Sequence, residues 1–394
     1  MQPTAARRTV RHLALVGVLG GLLGLVGCSD VGEPEQPTST SEEVTSDSGT
    51  EEATTDESTR DESTTPEPAE PTVPTVEVVD TLVTDVGIPW GIAFTSSGDA
   101  LVSLRGTAEI LRISPDGDVS VLGTVPGVAS DTDEGGLLGL ALAPGRDDVL
   151  FAYLTSATDN RVVRMSVSDD GLGAPEPIVT GIQRATNHNG GRLLFDSEGY
   201  LLISTGDAAI PDLSQDVTSL NGKILRVTQD GEPAPGNPFD NQVYSYGHRN
   251  VQGLAFDSAG DLWATEFGQD TTDELNLIEA GGNYGWPVVE GAGTDDRYID
   301  PFTSWSPTST ASPSGLAIVD DVALIGALRG EAVFAVPLSG SAAGQTTPLL
   351  QGEFGRIRTI AQAPDGSIWV TTSNTAGWTD PRPGDDRVVR LMLG

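Results

Sequence analysis

Thiols, lysines, histidines and helical patterning are all scarce in this chain. Of its 394 residues one is a cysteine, Cys28, so whatever folds after it has neither a disulfide nor thiol chemistry. Lys223 is the only lysine, and arginine supplies nearly all the positive charge. That charge is itself short: the formal net charge is −36. So acidic a chain is not suited to binding nucleic acid or to adsorbing on anionic lipid. Amphipathic helix periodicity is nearly absent, which excludes helical bundles and alternating α/β folds. No apolar run is long enough to cross a membrane comfortably. The longest, "LALVGVLGGLLGLVG" (13–27), is short and rich in glycine.

That run does carry a different message. Arg7, Arg8 and Arg11 precede it, and Leu25-Val26-Gly27-Cys28 ends it in the pattern of a bacterial lipobox. Residues 1–28 are expected to be a lipoprotein signal peptide, with Cys28 carrying the lipid. Residues 29–73 are Ser, Thr, Glu, Asp and Pro with almost no large apolar side chain. Such a segment buries too little to offset its chain entropy, so it is expected to be a disordered acidic tether. Its maximum reach is ~150 Å. The expectation is a domain on the extracytoplasmic face of the cell membrane, attached through the N-terminal lipid alone.

From residue 74 to 394 a unit repeats. "FTSSGDALVSL" is followed by "EILRIS", "LFDSEGYLLIST" by "KILRVT", "AFDSAGDLWATE" by "ELNLI" and "QAPDGSIWVTTS" by "RVVRLML". Copies beginning at Leu142 and Ala317 complete a set of six, spaced by roughly 45–65 residues. Each reads as strand, tight turn, strand, gap, strand. Several strands per unit at this period indicate an all-β, six-bladed β-propeller of four-stranded antiparallel blades. The run "TVEVVDTLV" (75–83) is available as an outer strand closing the ring with the C-terminal blade.

In a propeller, residues distant in sequence converge at one end of the axis. Polar residues interrupt the repeat ahead of the inner strands: Glu134, Asn187 and His188, His248 with Arg249 and Asn250, Thr310, Arg329, Arg356 and Arg358. The four arginines would form a cationic cup for a planar, multiply charged anion. His188, set in "TNHNGG", is suited to accept a hydroxyl proton. Asn187 or a nearby carboxylate would orient it. His248, in "YGHRN", reads as structural. Asp270, Asp273 and Glu274 surround one turn, and hard oxygen ligands at short spacing suit Ca²⁺.

"GGLLGLAL", "NHNGGRLLF…STGD", "GKILRV", "YGHRNVQGLAF", "DELNLIEAGGNYGWP" and "GRIRTIAQAPDGSIWV", in this order, resemble the glucose/sorbosone dehydrogenase family over about 75–394. The resemblance implies a six-bladed propeller that oxidises aldose sugars to lactones with pyrroloquinoline quinone (PQQ) and Ca²⁺. It implies His188 as general base, with Arg249 and Asn187 beside it. Arg249, Asn250, Arg329, Arg356 and Arg358 would bind the cofactor, Arg329 standing where the family has a lysine. Glu134 and Thr310 fall at substrate positions. The carbonyls of Gly268 and Gln269 would hold the Ca²⁺ that touches PQQ, and Asp273, Glu274 and the Tyr284 carbonyl a second, structural Ca²⁺. Trp305 is expected near the pocket. Short inter-blade loops suggest a monomer with an open site, passing electrons to an acceptor the sequence does not name. The alternative is a propeller that binds carbohydrate or protein without turnover, which has no need to keep His188 and the arginines together.

Overall fold

The computed structural model describes residues 70–129 and 133–394. The expected signal peptide, Cys28 and the tether as far as residue 69 lie outside the described residues. The first strand, Val76–Val83, begins close to the expected domain boundary.

Six antiparallel sheets follow one another along the chain. Their first strands are Pro89–Phe94, Leu137–Ala143, Leu193–Phe195, Val251–Phe256, Pro313–Val319 and Ile357–Gln362. Each of these packs on the next, and the last packs on the first, so the six form a closed ring around an axis. The expected six-bladed propeller is what the chain folds into. Five blades have four strands. The second adds a two-residue strand, Gly171–Leu172, on Asn160–Ser168.

The repeated turns do what their composition requires. Gly199 takes φ +84° and donates its N–H to the Asp196 carbonyl at 3.1 Å, closing a tight turn that a side chain would strain. Ring closure is also as read. Val76–Val83 is the outermost strand of the last blade, pairing Val76 with Leu393 and Thr81 with Val389.

The hydrophobic core lies between adjacent blades. Trp90, Leu138, Phe151, Tyr153, Ile203 and Leu225 form one such layer, and Leu324, Val333, Ile360, Val370 and Val389 another. Around the axis the inner strands meet backbone to backbone. A Cβ on Gly139 would collide with the carbonyl of Gly191, just ahead of the next inner strand. Replacing Gly139 by Ala is expected to cost about 1–3 kcal/mol through overpacking. The expected result is a lower thermal midpoint by circular dichroism; an unchanged midpoint would mean the inner strands are not in contact there.

Candidate functional site

Side chains from all six blades line one cavity of about 220 Å³. Two classes of loop build it. The crossovers into an inner strand supply Glu134, Asn187, His188, Arg249, Thr308, Ser312 and Arg356. The loops after each blade's second strand supply Arg105, Gly268, Gln269, Arg329 and Trp378. In an antiparallel blade both classes emerge at the same end, so the topology gathers them without long insertions. Arg356 and Arg358 are two apart at the start of Ile357–Gln362, and period-two alternation points both into the cavity.

Five guanidiniums face this space. Arg105, Arg249, Arg356 and Arg358 are buried, and Arg329 is exposed at the rim. None makes an ion pair with a carboxylate among the described residues. Arg358 donates to Gln252 Oε1 at 2.8 Å, and Arg249 donates to Gln269 Oε1 at 2.7 Å and to the Phe267 carbonyl at 3.1 Å. The guanidiniums of Arg105, Arg329 and Arg356 make no hydrogen bond within the described residues. The buried Nε atoms of Arg356 and Arg358 have no partner either. Burial pushes the pKa of Arg105, Arg249 and Arg356 down, and that of Arg358 to about 9, with Arg105 and Arg356 adding repulsion to the latter. Clustered like charge in a poorly solvated space is costly until an anion enters. Glu134 and Asp273 are the carboxylates lining the cavity.

His188 is held at three points. Its backbone takes φ +56°, and its N–H donates to Glu134 Oε2 at 3.0 Å. Its ring Nδ1 lies 2.7 Å from Asp207 Oδ1, and its Nε2 lies 3.1 Å from Asn187 Nδ2. Asp207, fully buried, also accepts from Trp286 Nε1 at 2.9 Å and from the Ala209 amide at 2.8 Å. A carboxylate at Nδ1 fixes the tautomer with Nδ1 protonated, leaving Nε2 as acceptor. The surrounding asparagines and glycines serve this placement. Asn189 accepts from Asn160 at 2.9 Å and its carbonyl accepts from Tyr153 Oη at 2.7 Å, pinning the segment behind the imidazole. Lys223 donates to the carbonyls of Leu213, Ser214 and Asn221, at 2.7, 2.9 and 2.6 Å, and anchors the continuation of the Asp207 loop.

The structure thus brings Glu134, Asn187, His188, Arg249, Gly268, Gln269, Asp273, Arg329, Arg356 and Arg358 to one cavity. Asn250 sits behind the lining: it is fully buried, its Oδ1 accepts from the Gly190 amide at 3.0 Å, and its Nδ2 is unpartnered. His248 is structural as read, fully buried between Ser245 and Glu266 and stacked on Tyr284.

Three expectations are corrected. Thr310 is exposed and does not line the cavity; Thr308, on the same turn, does. Trp305 is buried against Phe334 in an inter-blade layer. Asp273 and Glu274 do not share a site, because neighbours on the strand Asp273–Ile278 point to opposite faces. The Asp273 oxygens are taken by the amides of Gly268 and Ser312, at 3.0 and 2.8 Å. Glu274 and Tyr284 instead line a smaller adjoining cavity with Glu266 and Glu290. Burial, then the nearby Glu266, pushes Glu274 up to about 8. Asp270 is exposed and stands apart from both. No group of three acidic, histidine or cysteine side chains is arranged to hold a metal among the described residues.

Sequence reasoning missed Arg105, Asp207, Gln252 and Trp378. Three of them follow a second strand, a position as regular as the crossovers: "LVSLR", "LLISTGD" and, past a short turn, "SNTAGW".

The sequence profile of the glucose/sorbosone dehydrogenase family matches residues 86–379. A PQQ-bound structure of aldose sugar dehydrogenase from Streptomyces coelicolor is 48% identical, covers 83% of this chain and 100% of its own, and superposes with a TM-score of 0.79. A structure described as a putative oxidoreductase (glucose dehydrogenase) from Thermus thermophilus is 39% identical, covers 81% of this chain and 100% of its own, with a TM-score of 0.75. The aldose sugar dehydrogenase YliI of Escherichia coli is 28% identical over 348 residues, 77% of this chain and 92% of its own.

An anion that relieves the arginine cluster is expected to stabilise the fold. A planar aromatic tricarboxylate at about a hundred times its Kd is expected to add about 2.7 kcal/mol. Differential scanning fluorimetry should show a raised midpoint, acetate at equal ionic strength should not reproduce it, and Arg356→Ala should remove most of it.

Proposed function

The chain belongs to the glucose/sorbosone dehydrogenase family, and from that membership we propose that it oxidises the anomeric carbon of aldose sugars, with PQQ as cofactor and His188 as general base. The observation that carries the reading is the meeting, in one cavity, of guanidiniums without carboxylate partners and an imidazole oriented by a buried carboxylate. PQQ is a planar tricarboxylate, and five guanidiniums against Glu134 and Asp273 leave three positive charges to meet it. The unpartnered Nε atoms of Arg356 and Arg358 fit the same need. Arg249, Arg329, Arg356 and Arg358 would hold the cofactor, with Arg105 beside them and Asn250 behind.

When bound, PQQ supplies an electrophilic quinone carbonyl able to accept a hydride. The protein's part is proton handling and alignment. Asp207 keeps the His188 proton on Nδ1, so Nε2 receives the proton of the sugar's C1 hydroxyl, displacing the Asn187 amide that sits there at 3.1 Å. Loss of that proton and of the C1 hydrogen with its electron pair turns the cyclic hemiacetal into a lactone. Buried Arg249, held by Gln269 and Phe267, presents fixed positive charge where negative charge grows.

Ca²⁺ belongs to the proposal on chemical grounds. Gly268 and Gln269 line the cavity and their carbonyls accept no hydrogen bond among the described residues, so both oxygens are available to a hard cation. Glu274 and the Tyr284 carbonyl, with Glu266 and Glu290 close by, offer oxygen donors for a second ion. We further propose that the enzyme acts as a monomer outside the cytoplasm. The lipobox ending in Cys28 and the acidic stretch 29–73 support a lipid anchor and spacer. An external acceptor then reoxidises the cofactor.

Purified protein given PQQ and Ca²⁺ is expected to reduce a redox dye with a panel of aldoses. His188→Ala is expected to lower kcat about 10²–10⁴-fold with PQQ still bound, as its absorbance will report; full activity in that variant removes His188 from the reaction. Asp207→Asn is expected to lower kcat while leaving PQQ binding intact. Chelation should lower the thermal midpoint and Ca²⁺ should restore it, whereas Glu274→Gln should blunt the restoration.

A further inference from the structure

The proposed chemistry makes no use of Trp378, and its setting is unusual. It lines the cavity, yet 59% of it is exposed, among the highest values for a large apolar side chain in the described residues. The indole offers a flat apolar face to whatever enters the cavity. Its loop is also built with care. The 3₁₀ turn Asn374–Ala376 ends at Gly377 in the left-handed region, φ +88°, and Trp378 follows at once. Asn374 Oδ1 accepts the Arg356 amide at 2.9 Å, Asn374 Nδ2 donates to the Phe354 carbonyl at 2.9 Å, and the Ser373 amide donates to the Arg356 carbonyl at 2.9 Å. Asp386 accepts from the Asn374 amide and from Thr375 Oγ1. Beyond the indole, Arg382 donates to the carbonyls of Gly352 and Glu353, at 3.1 and 3.0 Å. The indole is thus fastened, through backbone, to the strand that carries Arg356 and Arg358.

We propose that Trp378 is the stacking platform for the sugar ring and sets how tightly the site holds pyranoses. This rests on the sugar-oxidising reading of the cavity. A pyranose has hydroxyls around its edge and an apolar C–H face. The lining supplies polar partners for the edge in Glu134, Asn187 and His188. The face needs a flat apolar surface in a fixed position, and a rigid indole provides one at small entropic cost. Trp378 binds the sugar and has no part in the proton transfer.

The test compares holoenzymes carrying Trp378, Trp378→Phe and Trp378→Ala. Three quantities are measured: aldose kinetics, calorimetric binding of 1,5-anhydro-D-glucitol, and PQQ stoichiometry by absorbance. The anhydro sugar lacks the anomeric hydroxyl and cannot be oxidised to a lactone. Trp378→Ala is expected to raise both the aldose KM and the analogue's Kd about tenfold, a change of about 1.4 kcal/mol, with kcat falling less and PQQ stoichiometry unaltered. Trp378→Phe should recover most of the loss. Equal analogue affinity in Trp378→Ala overturns the platform, as does an effect confined to the dye's KM or to PQQ content. A wild type that oxidises no aldose removes the underlying reading and the platform with it, whereas an active wild type with an indifferent Trp378→Ala removes the platform alone.

Discussion

Positive charge left without a counter-ion is the constraint on which the rest of this molecule turns. A chain of net charge −36 has carboxylates in abundance, yet Arg105, Arg249, Arg329, Arg356 and Arg358 pair with none among the described residues. Arg112, Arg164, Arg226 and Arg390, on the third strands of their blades, each find an acid. The difference is one of position. The acceptors that Arg249 and Arg358 use in the cavity are side-chain amides, hydroxyls and a carbonyl, which orient a guanidinium without neutralising it. A ligand with several carboxylates can then be gripped by groups already aimed and already stripped of most water.

The fold makes that state tolerable by rigidity. Each arginine stands at a strand end or on a short loop, and each blade is locked to its neighbours by an apolar layer. The four buried arginines have little room to spread and lower their repulsion, whereas Arg329 at the rim stands in solvent. The same stiffness fixes His188 relative to the charges. Its carboxylate partner comes from the loop after the second strand of its own blade, while the glutamate holding its amide precedes the inner strand of the blade before. Two blades therefore agree on where the imidazole stands.

The architecture was legible because the repeat is. Turn residues, β-branched strands and a steady period define the blades, and the β-like run 75–83, left over ahead of the first copy, was available as the outer strand that closes the ring. Polar residues ahead of the inner strands were legible for the same reason: they break a pattern. Asp207 was harder to see, since an aspartate after "STG" looks like any turn carboxylate until the blade bends it behind His188. The pairing of Asp273 with Glu274 misled because closeness in sequence was taken as closeness in a site, and a strand separates neighbours across its two faces. Thr310 and Thr308 show the limit of spacing on an irregular turn, where no period decides which hydroxyl looks inward. Arg105 lacked only a partner for comparison; beside Arg329 its place in the blade is plain.

Ring closure by the first strand sets a timetable for biosynthesis. Asp80 meets Arg390, 310 positions later, so the outermost strand of the last blade leaves the ribosome long before the strand it completes. At 5–20 residues per second that interval is roughly 15–60 s. Until it ends, residues 76–83 lack the strand they pair with in the finished fold, and the seam of the ring cannot form. Five blades can assemble in order as they emerge, but the molecule becomes a closed ring only when its last few residues arrive.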